Sequence, residues 1–525
     1  MHPACKRHTD LPHTSRLFGD LLYHFDRVSR FYPFQPQDPE AYRKSAASID
    51  FPDARRAALV DALRDQNGDS ESLKRLSQRG TVAVVTGQQV GLFSGPAYTL
   101  YKALTAARLA SRLSEQGIPA VPVFWLATED HDLAEVSSVW SFRSNHEPLH
   151  LTLPHAAESQ RPVGGIAIES PPVEALAASL EGFPYGDEIA SWVREAYTPG
   201  CTYGEAFAAL LRKMTSAYGL LFFDPMHAKS RALAAPFIQS AVDAAPDLTA
   251  ALLERNRELN AAGYHAQVHI EDSTSLFFLI ENGERLALRR KDGAYYHKER
   301  RIEAAELRDK AASLSPNAAL RPVSQDFMMP TVAYIGGPAE LAYLAQSAVI
   351  YDRLLGRMPV AAPRACFTLF DARSEKLMRR YGLGLESFFD GDHALLERMA
   401  AKLVPAEMSA ALDAVTTDTL RNLDKLRAAT AGFDKTLAAA VGKSASKVEY
   451  QLQKIRRKVG RESMRRDRRA LDDSAYLYHL LYPRKNLQER VYTILPFLAR
   501  HGAGLIDQLY ESIHVDCPDH HLLYL

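Results

Sequence analysis

The sequence has no excess of either charge: 63 lysines and arginines stand against 63 aspartates and glutamates. No global field draws the chain to nucleic acid or to an anionic membrane surface, so neither is expected as a partner. Long apolar runs are missing too, since none approaches the roughly 18 to 20 residues of a membrane span. The opening Met1-His2-Pro3-Ala4-Cys5-Lys6 has no apolar segment of the signal-peptide kind, and a cytoplasmic location is expected. There are only four cysteines, Cys5, Cys201, Cys366 and Cys517, far apart and without a Cys-x-x-Cys pair. That usage suits reduced thiols and gives dithiol redox chemistry no local support. Three signatures are also absent: the Gly-x-Gly-x-x-Gly fingerprint, the Gly-Lys-Ser/Thr phosphate loop and the Gly-x-Ser-x-Gly elbow.

At 525 residues the chain is too long for one ordinary core, so several domains or a core with insertions are expected. Its clearest stretch is Thr81 to Asp132, which reads as one βαβ unit. Val82-Ala83-Val84-Val85 has the unbroken apolar, β-branched character of a strand buried on both faces of a parallel sheet. Thr86-Gly87-Gln88-Gln89 interrupts it, and Gly91 and Gly95 with Pro96 predict a helix start. Ala97, Leu100, Leu104, Ala107, Ala110 and Leu113 share one helical face, which Gly117 and Pro119 close. Val121 to Ala127 is the second strand and runs directly into Thr128-Glu129-Asp130-His131-Asp132. Ligands of open parallel sheets bind beyond the carboxyl ends of the strands, where helix N-termini also point. The two polar strand ends should therefore meet in one cleft, fit for an anion or a nucleotide.

Residues 1–79 read as a helical lead-in and 80–380 as a Rossmann-like core, with insertions near 140–200 and 250–315. Within the core, Leu220 to Phe223, ending at Asp224, and Thr331 to Ile335 are further strands, and Gly336-Gly337-Pro338 again opens a helix. Glu281-Asn282-Gly283-Glu284 is a hairpin turn inside the second insertion. From 381 to 475 an antiparallel coiled-coil hairpin is expected. Leu423, Leu426, Thr430 and Phe433 form one seam, Val448, Leu452, Ile455 and Val459 the other, and Gly432 and Asp434 mark the turn. The basic run from Arg456 to Arg469 is a solvated helix face. Residues 476–525 return to the core, with Asn486 and Glu489 spaced as a capping box and His514 to His521 as a loosely ordered tail. That tail matches no zinc spacing, and no metal is assigned to it.

The segments Thr86-Gly87-Gln88-Gln89-Val90-Gly91-Leu92-Phe93-Ser94-Gly95-Pro96, Tyr101-Lys102-Ala103-Leu104 and Phe124 to Asp132 closely resemble the BshC family of cysteine ligases in bacillithiol synthesis. Leu314-Ser315-Pro316-Asn317, Leu320-Arg321-Pro322, Gln325-Asp326, Pro330 to Pro338 and Leu487-Gln488-Glu489-Arg490-Val491 extend the resemblance over roughly residues 15 to 510. It implies an α/β fold, a Rossmann-like parallel-sheet core plus an α-helical coiled coil. The implied reaction joins cysteine to glucosaminyl-malate by an amide bond, with ATP or ADP and Mg2+ as expected cofactors. A homodimer through residues 403–475 is expected because a two-helix hairpin with an apolar seam leaves surface that a second hairpin can cover. Another ATP-dependent ligase or nucleotidyltransferase, or a coiled-coil scaffold, are the alternatives. No His-rich nucleotide loop and no Lys-x-Ser-Lys loop are found, so the activation chemistry is inferred only.

Residue by residue, Asp130 and His131 are the expected catalytic pair, able to take the ammonium proton. Glu129 and Asp132 beside them are expected to bind substrate, as are Gln88, Gln89 and Ser94, whose neutral donors and acceptors suit a carboxylate, a hydroxyl or a sugar. Lys102 is placed to reach an anion at the helix start. Arg321 suits a carboxylate, with Gln325 and Asp326 alongside. Gly87, Gly91, Gly95, Gly336 and Gly337 are the expected nucleotide loops, the alternative being a separate groove where the hairpin meets the C-terminal helix beginning at Asn486.

Overall fold

The apolar run at Val82 lies in the middle of a sheet. The computed structural model describes residues 4–153 and 160–525. Residues 1–3, at the start of the segment read as lacking a signal peptide, and 154–159, inside the first expected insertion, lie outside the described residues. Strands β1 (Val82–Gln88), β2 (Ala120–Leu126), β3 (Leu221–Phe223), β4 (Thr331–Gly336) and β5 (Val360–Pro363) form an all-parallel sheet in the order β5-β4-β1-β2-β3. Successive side chains of β1 serve opposite faces. Val82 and Val84 pack with Ala106, Leu109, Ala110 and Leu113 of helix α1 (Tyr98–Glu115), while Ala83 and Val85 join the core on the other side. Double burial is why the strand reads as a continuous apolar run. The sequence reading missed β5, whose four residues end in proline; as an edge strand it tolerates the missing N–H.

The chain enters at β1, moves out to β2 and β3, then crosses back to β4 on the far side of β1. The direction of winding thus reverses between β1 and β4, the place where doubly wound sheets bind ligands. Helix α1 starts two residues beyond Pro96 because the connection is tighter than a plain loop: Phe93, Ser94 and Gly95 all have positive φ (50°, 67° and 66°). At its far end Gly117 sits at φ 84°, and the Ile118 N–H returns to the Leu113 carbonyl at 2.9 Å.

The first insertion contains an antiparallel hairpin (Ser138–Phe142 with Pro148–Thr152) and helices Val173–Leu180 and Gly186–Ala196. The second follows helix α2 (Ala228–Ala261) and is an antiparallel sheet of five strands, ordered Arg300–Ile302, Ala294–His297, Glu284–Lys291, Thr274–Glu281, Leu314–Pro316. Asn282 and Gly283 take positive φ at its first turn, as a two-residue hairpin demands. Helix α3 (Arg321–Met328) leads into β4, and helix α4 (Pro338–Leu354) leaves it. Among the described residues no helix is long and apolar enough to cross a membrane.

Two units result. The first takes in the chain up to Ser144, Pro148–Thr368 and Glu489–Leu523; the second takes in Asn145–Glu147, Leu369–Gln488 and Tyr524–Leu525. In the first unit Glu489 does not cap a helix. Its carboxylate is buried and accepts both Arg364 Nη1 and Nη2, at 3.0 and 2.7 Å, and the Phe367 N–H. Nor is the tail loose: His520 and His521 are buried in a strand, and Lys6 and Cys5 pair with them antiparallel. Cys366, Glu489 and His520 hold their ligand atoms within 4.8 Å of one another, but the guanidinium of Arg364 already supplies the cation there.

The second unit contains helices α5 (Ala406–Ala431) and α6 (Lys435–Arg466), folded back on each other across Gly432 and Asp434, whose carboxylate caps α6. Arg456 pairs with Asp413, which fixes the antiparallel register. The seam differs in detail from the expected one. Leu412, Thr416, Leu420, Leu423 and Thr430 of α5 and Val441, Ala445, Val448, Leu452 and Val459 of α6 are half-buried, whereas Leu426, Ile455 and Phe433 are 51%, 48% and 87% exposed. Two helices alone cover only one narrow stripe of each other, and the 3.6-residue turn carries the flanking apolar positions off it.

Candidate active site

A cavity of about 710 Å3 occupies the reversal point of the sheet, lined by the ends of β1 and β2, the start of α4 and the antiparallel sheet of the second insertion. Gln88, Gln89, Lys102, Glu129, Asp130, His131, Arg321, Gly87 and Gly337 are all in its wall. The remaining expected residues are elsewhere. Asp132 is an exposed cap for the short helix Leu133–Val136, its side chain accepting the Glu135 N–H. Ser94 is buried in the left-handed turn before α1. Gln325 and Asp326 are buried behind Arg321: Gln325 accepts from Arg321 and donates to Asp326, which in turn accepts from Tyr351. They hold the arginine and do not reach the cavity.

One cluster in the wall is built around Asp130. It accepts Gln89 Nε2 at 2.8 Å and the His131 N–H at 2.7 Å, and Arg285 Nη1 stands 3.4 Å away. Burial alone would raise this carboxyl; the hydrogen bonds from His131 and Gln89 and the charge of Arg285 outweigh it and hold the group well below the usual carboxylate range. Such a carboxylate is a fixed anion and a poor proton acceptor. Arg285 Nη1 also lies 2.9 Å from His131 Nδ1, closer than the 3.5 Å from Nδ1 to Asp130. A guanidinium has no lone pair, so Nδ1 accepts and the neutral ring carries its proton on Nε2. The pair expected to remove a proton is therefore engaged in holding itself in place.

The second cluster is centred on the buried Lys102, which ion-pairs with Glu340 and donates to Gln88 Oε1 at 2.7 Å and the Gly87 carbonyl at 2.9 Å. Burial lowers the lysine, and Glu340 only partly restores it; burial would raise Glu340, but Lys102 brings it down. Glu340 also accepts from Tyr334 at 2.8 Å, and Tyr343 accepts from Arg321 at 2.7 Å. Lys102 is thus already neutralised. Arg321 has hydroxyl and amide partners but, among the described residues, no carboxylate, and so it can take one from a ligand.

Glu129 lies beside the first cluster, under the charge of Arg285. It is 4% exposed; its Oε1 has no hydrogen-bond partner, and Oε2 is 3.7 Å from Arg231. Burial raises its carboxyl, against the pull of Arg285 and Arg231. A desolvated carboxylate with one unpartnered oxygen in a cleft wall has the properties of a general base.

The glycines do not form a phosphate cradle. A Cβ on Gly87 would come within 2.8 Å of the Trp125 carbonyl, and one on Gly336 within 2.8 Å of Leu341, so both glycines permit close packing. The Gly91 and Gly95 N–H groups return to Gln89 and Leu92, each at 2.9 Å, and the Gly337 N–H is taken by Glu340. The N–H groups of Gly91, Gly95 and Gly337 are therefore already taken. The sequence reading also passed over Arg285, Tyr98, Glu135, Glu340, Arg364 and Arg490, all in the wall. Glu340 was within reach of inference, three residues past the Gly337 turn; Arg285, within a mostly charged strand, was not.

Family models match the chain in two pieces: the bacillithiol biosynthesis BshC N-terminal Rossmann-like domain over residues 5–365 and the BshC C-terminal coiled-coil domain over 367–525. Curated relatives, each named "Putative cysteine ligase BshC", include proteins of Solibacter usitatus, 55% identical with 100% of both chains covered, and Koribacter versatilis, 35% identical with 100% of both covered. A third, from Salinibacter ruber, is 31% identical over 97% of this chain and 96% of its own. Parallel core, helical hairpin and full-length likeness agree, and the chain belongs to the BshC family of bacillithiol biosynthesis.

Proposed function

We propose that the protein is a cysteine ligase that joins the cysteine carboxyl to the amine of glucosaminyl-malate, the closing step of bacillithiol synthesis. The observation that carries this reading is the cavity at the sheet's reversal point, where a carboxylate-seeking arginine, Arg321, and the buried Glu129, one of whose oxygens is unpartnered, line the same space. At about 710 Å3 it lies within the range of about 300–1,000 Å3 for sites that enclose drug-sized ligands, which suits an amino sugar bearing malate. Malate carboxylates pair with Arg321, and the sugar hydroxyls meet Gln88 and Gln89.

Amide formation in water requires an activated cysteine carboxyl, and ATP is the expected activator, held away from the two glycine loops. At the acceptor, Glu129 Oε1 takes the ammonium proton, and the freed amine attacks the acyl carbon. The new carbon–nitrogen bond forms as the bond from the acyl carbon to its leaving oxygen breaks, and the nitrogen passes its remaining surplus proton to solvent. Asp130, His131 and Arg285 fix the Nε2–H of His131 as a donor toward the reacting groups, a positioning role.

Incubating the purified protein with glucosaminyl-malate, cysteine, ATP and Mg2+ is expected to yield the amide, detected by mass, only when ATP is present. Failure to form it from all four components overturns the reading.

A further inference from the structure

A second cavity, of about 140 Å3, opens beside the first, and the two share Gln88, Gln89, Tyr98, Glu135 and Arg490 in their walls. The far side of the small cavity is apolar, made by Val136, Val139, Trp140 and Val491. Its base is the start of α1, where Thr99 is fully buried and its hydroxyl has no hydrogen-bond partner. A buried polar atom without a partner in a cavity wall marks a place for a polar ligand.

Glu135 and Arg490 are the charged side chains of this cavity. Among the described residues neither enters an ion pair, so a cation and an anion face one small space without neutralising each other. That arrangement is complementary to a zwitterion, a molecule with a carboxylate at one end and an ammonium at the other.

We infer that the small cavity is the amino-acid subsite and holds cysteine, with its carboxylate on Arg490, its ammonium on Glu135 and its thiol against the valines and Trp140. The inference rests on the ligase reading and adds which space each substrate occupies. Size separates the two: about 140 Å3 is below the range of about 300–1,000 Å3 for drug-sized ligands and admits only a small one. The N-terminus of α1 and the Thr99 hydroxyl favour a carboxylate at that end. Sulfur makes favourable contact with an aromatic ring edge. Arg490, like Glu135, belongs to both walls, so a cysteine carboxyl held on Arg490 is reachable from the large cavity, from which the amine of the second substrate approaches.

Equilibrium binding of cysteine to the full chain, without nucleotide or second substrate, reads the subsite directly by calorimetry under reducing conditions. Cysteine should saturate the wild type, and Glu135→Gln and Arg490→Gln should each weaken it about tenfold or more, the loss of a charge-assisted contact. N-acetylcysteine, which lacks the ammonium, should bind the wild type weakly and be insensitive to Glu135→Gln. No cysteine binding to the wild type, or equal affinity in wild type and both variants, overturns the subsite. Product formation by variants with unchanged cysteine affinity sinks the subsite and leaves the ligase reading standing. Cysteine binding that follows the predicted pattern in a protein that makes no amide does the reverse.

Discussion

The unpartnered Oε1 of Glu129 costs folding free energy, and a role in proton transfer explains its retention. Glu129→Gln keeps the shape and removes the base, so kcat should fall by about 10² to 10⁴ in steady-state assays. The sign of the pH effect follows from the same group. Burial places its ionisation above that of an ordinary glutamate, and only the ionised form accepts a proton; wild-type kcat should rise with pH through that raised value. Glu129→Gln should flatten this limb, and an unchanged profile would reassign the base. At this scale the sequence was informative where chemistry is local: Glu129, Asp130 and His131 are adjacent and terminate a strand, so their shared cleft was readable. Their division of labour was not, because it depends on Arg285, 154 residues beyond His131 and brought in by a separate sheet.

Helices α5 and α6 bury little against each other. Neither Leu426, Phe433 nor Ile455 is covered, and a two-helix hairpin that leaves such side chains exposed is suited to pair with a second copy of itself, as proposed for residues 403–475. Leu426→Lys combined with Ile455→Lys should halve the mass measured by light scattering while leaving helix content unchanged; a mass unaffected by the double substitution removes the proposal. Periodicity located both helices and the turn, since three- and four-residue steps and a glycine followed by aspartate are local signals. Which apolar residues enter the seam depends on the partner helix, and a single strand of sequence does not encode that phase.

Across the whole molecule, acid should act on one small group of buried residues. Glu489 is an ion-paired carboxylate: burial opposes its ionisation, but Arg364 brings it from 4.5 to about 2, so its contribution is complete above pH 4.5 and is lost as pH falls through about 2. Burial lowers His8 from 6.5 to about 3 and His520 and His521 to about 4. As pH drops below 6.5 the unfolded chain binds these protons first, so stability should decline from there down to about pH 4 and further toward 3. Denaturant midpoints measured between pH 7 and 4 test this; a flat response contradicts it. Glu489→Gln, which strands the buried Arg364 charge, should cost about 3–5 kcal/mol at neutral pH. The parallel core was legible because its strands are apolar and self-contained, whereas the closing strand at His520 was not, since two histidines give no hint of burial until Thr368 and Phe367 are placed against them.

The Arg364–Glu489 fork also orders events during translation. Arg364 leaves the ribosome with the edge of the sheet, yet its counter-charge is 125 positions further along, after the long stretch Leu369–Gln488 of the second unit. Until those residues emerge, the nascent chain has a cation that cannot be interred without penalty, and the last strand and helices of its first unit do not yet exist. Synthesis must therefore run past Glu489 before the first unit can close, and a message truncated within the hairpin would release a chain whose core is still open.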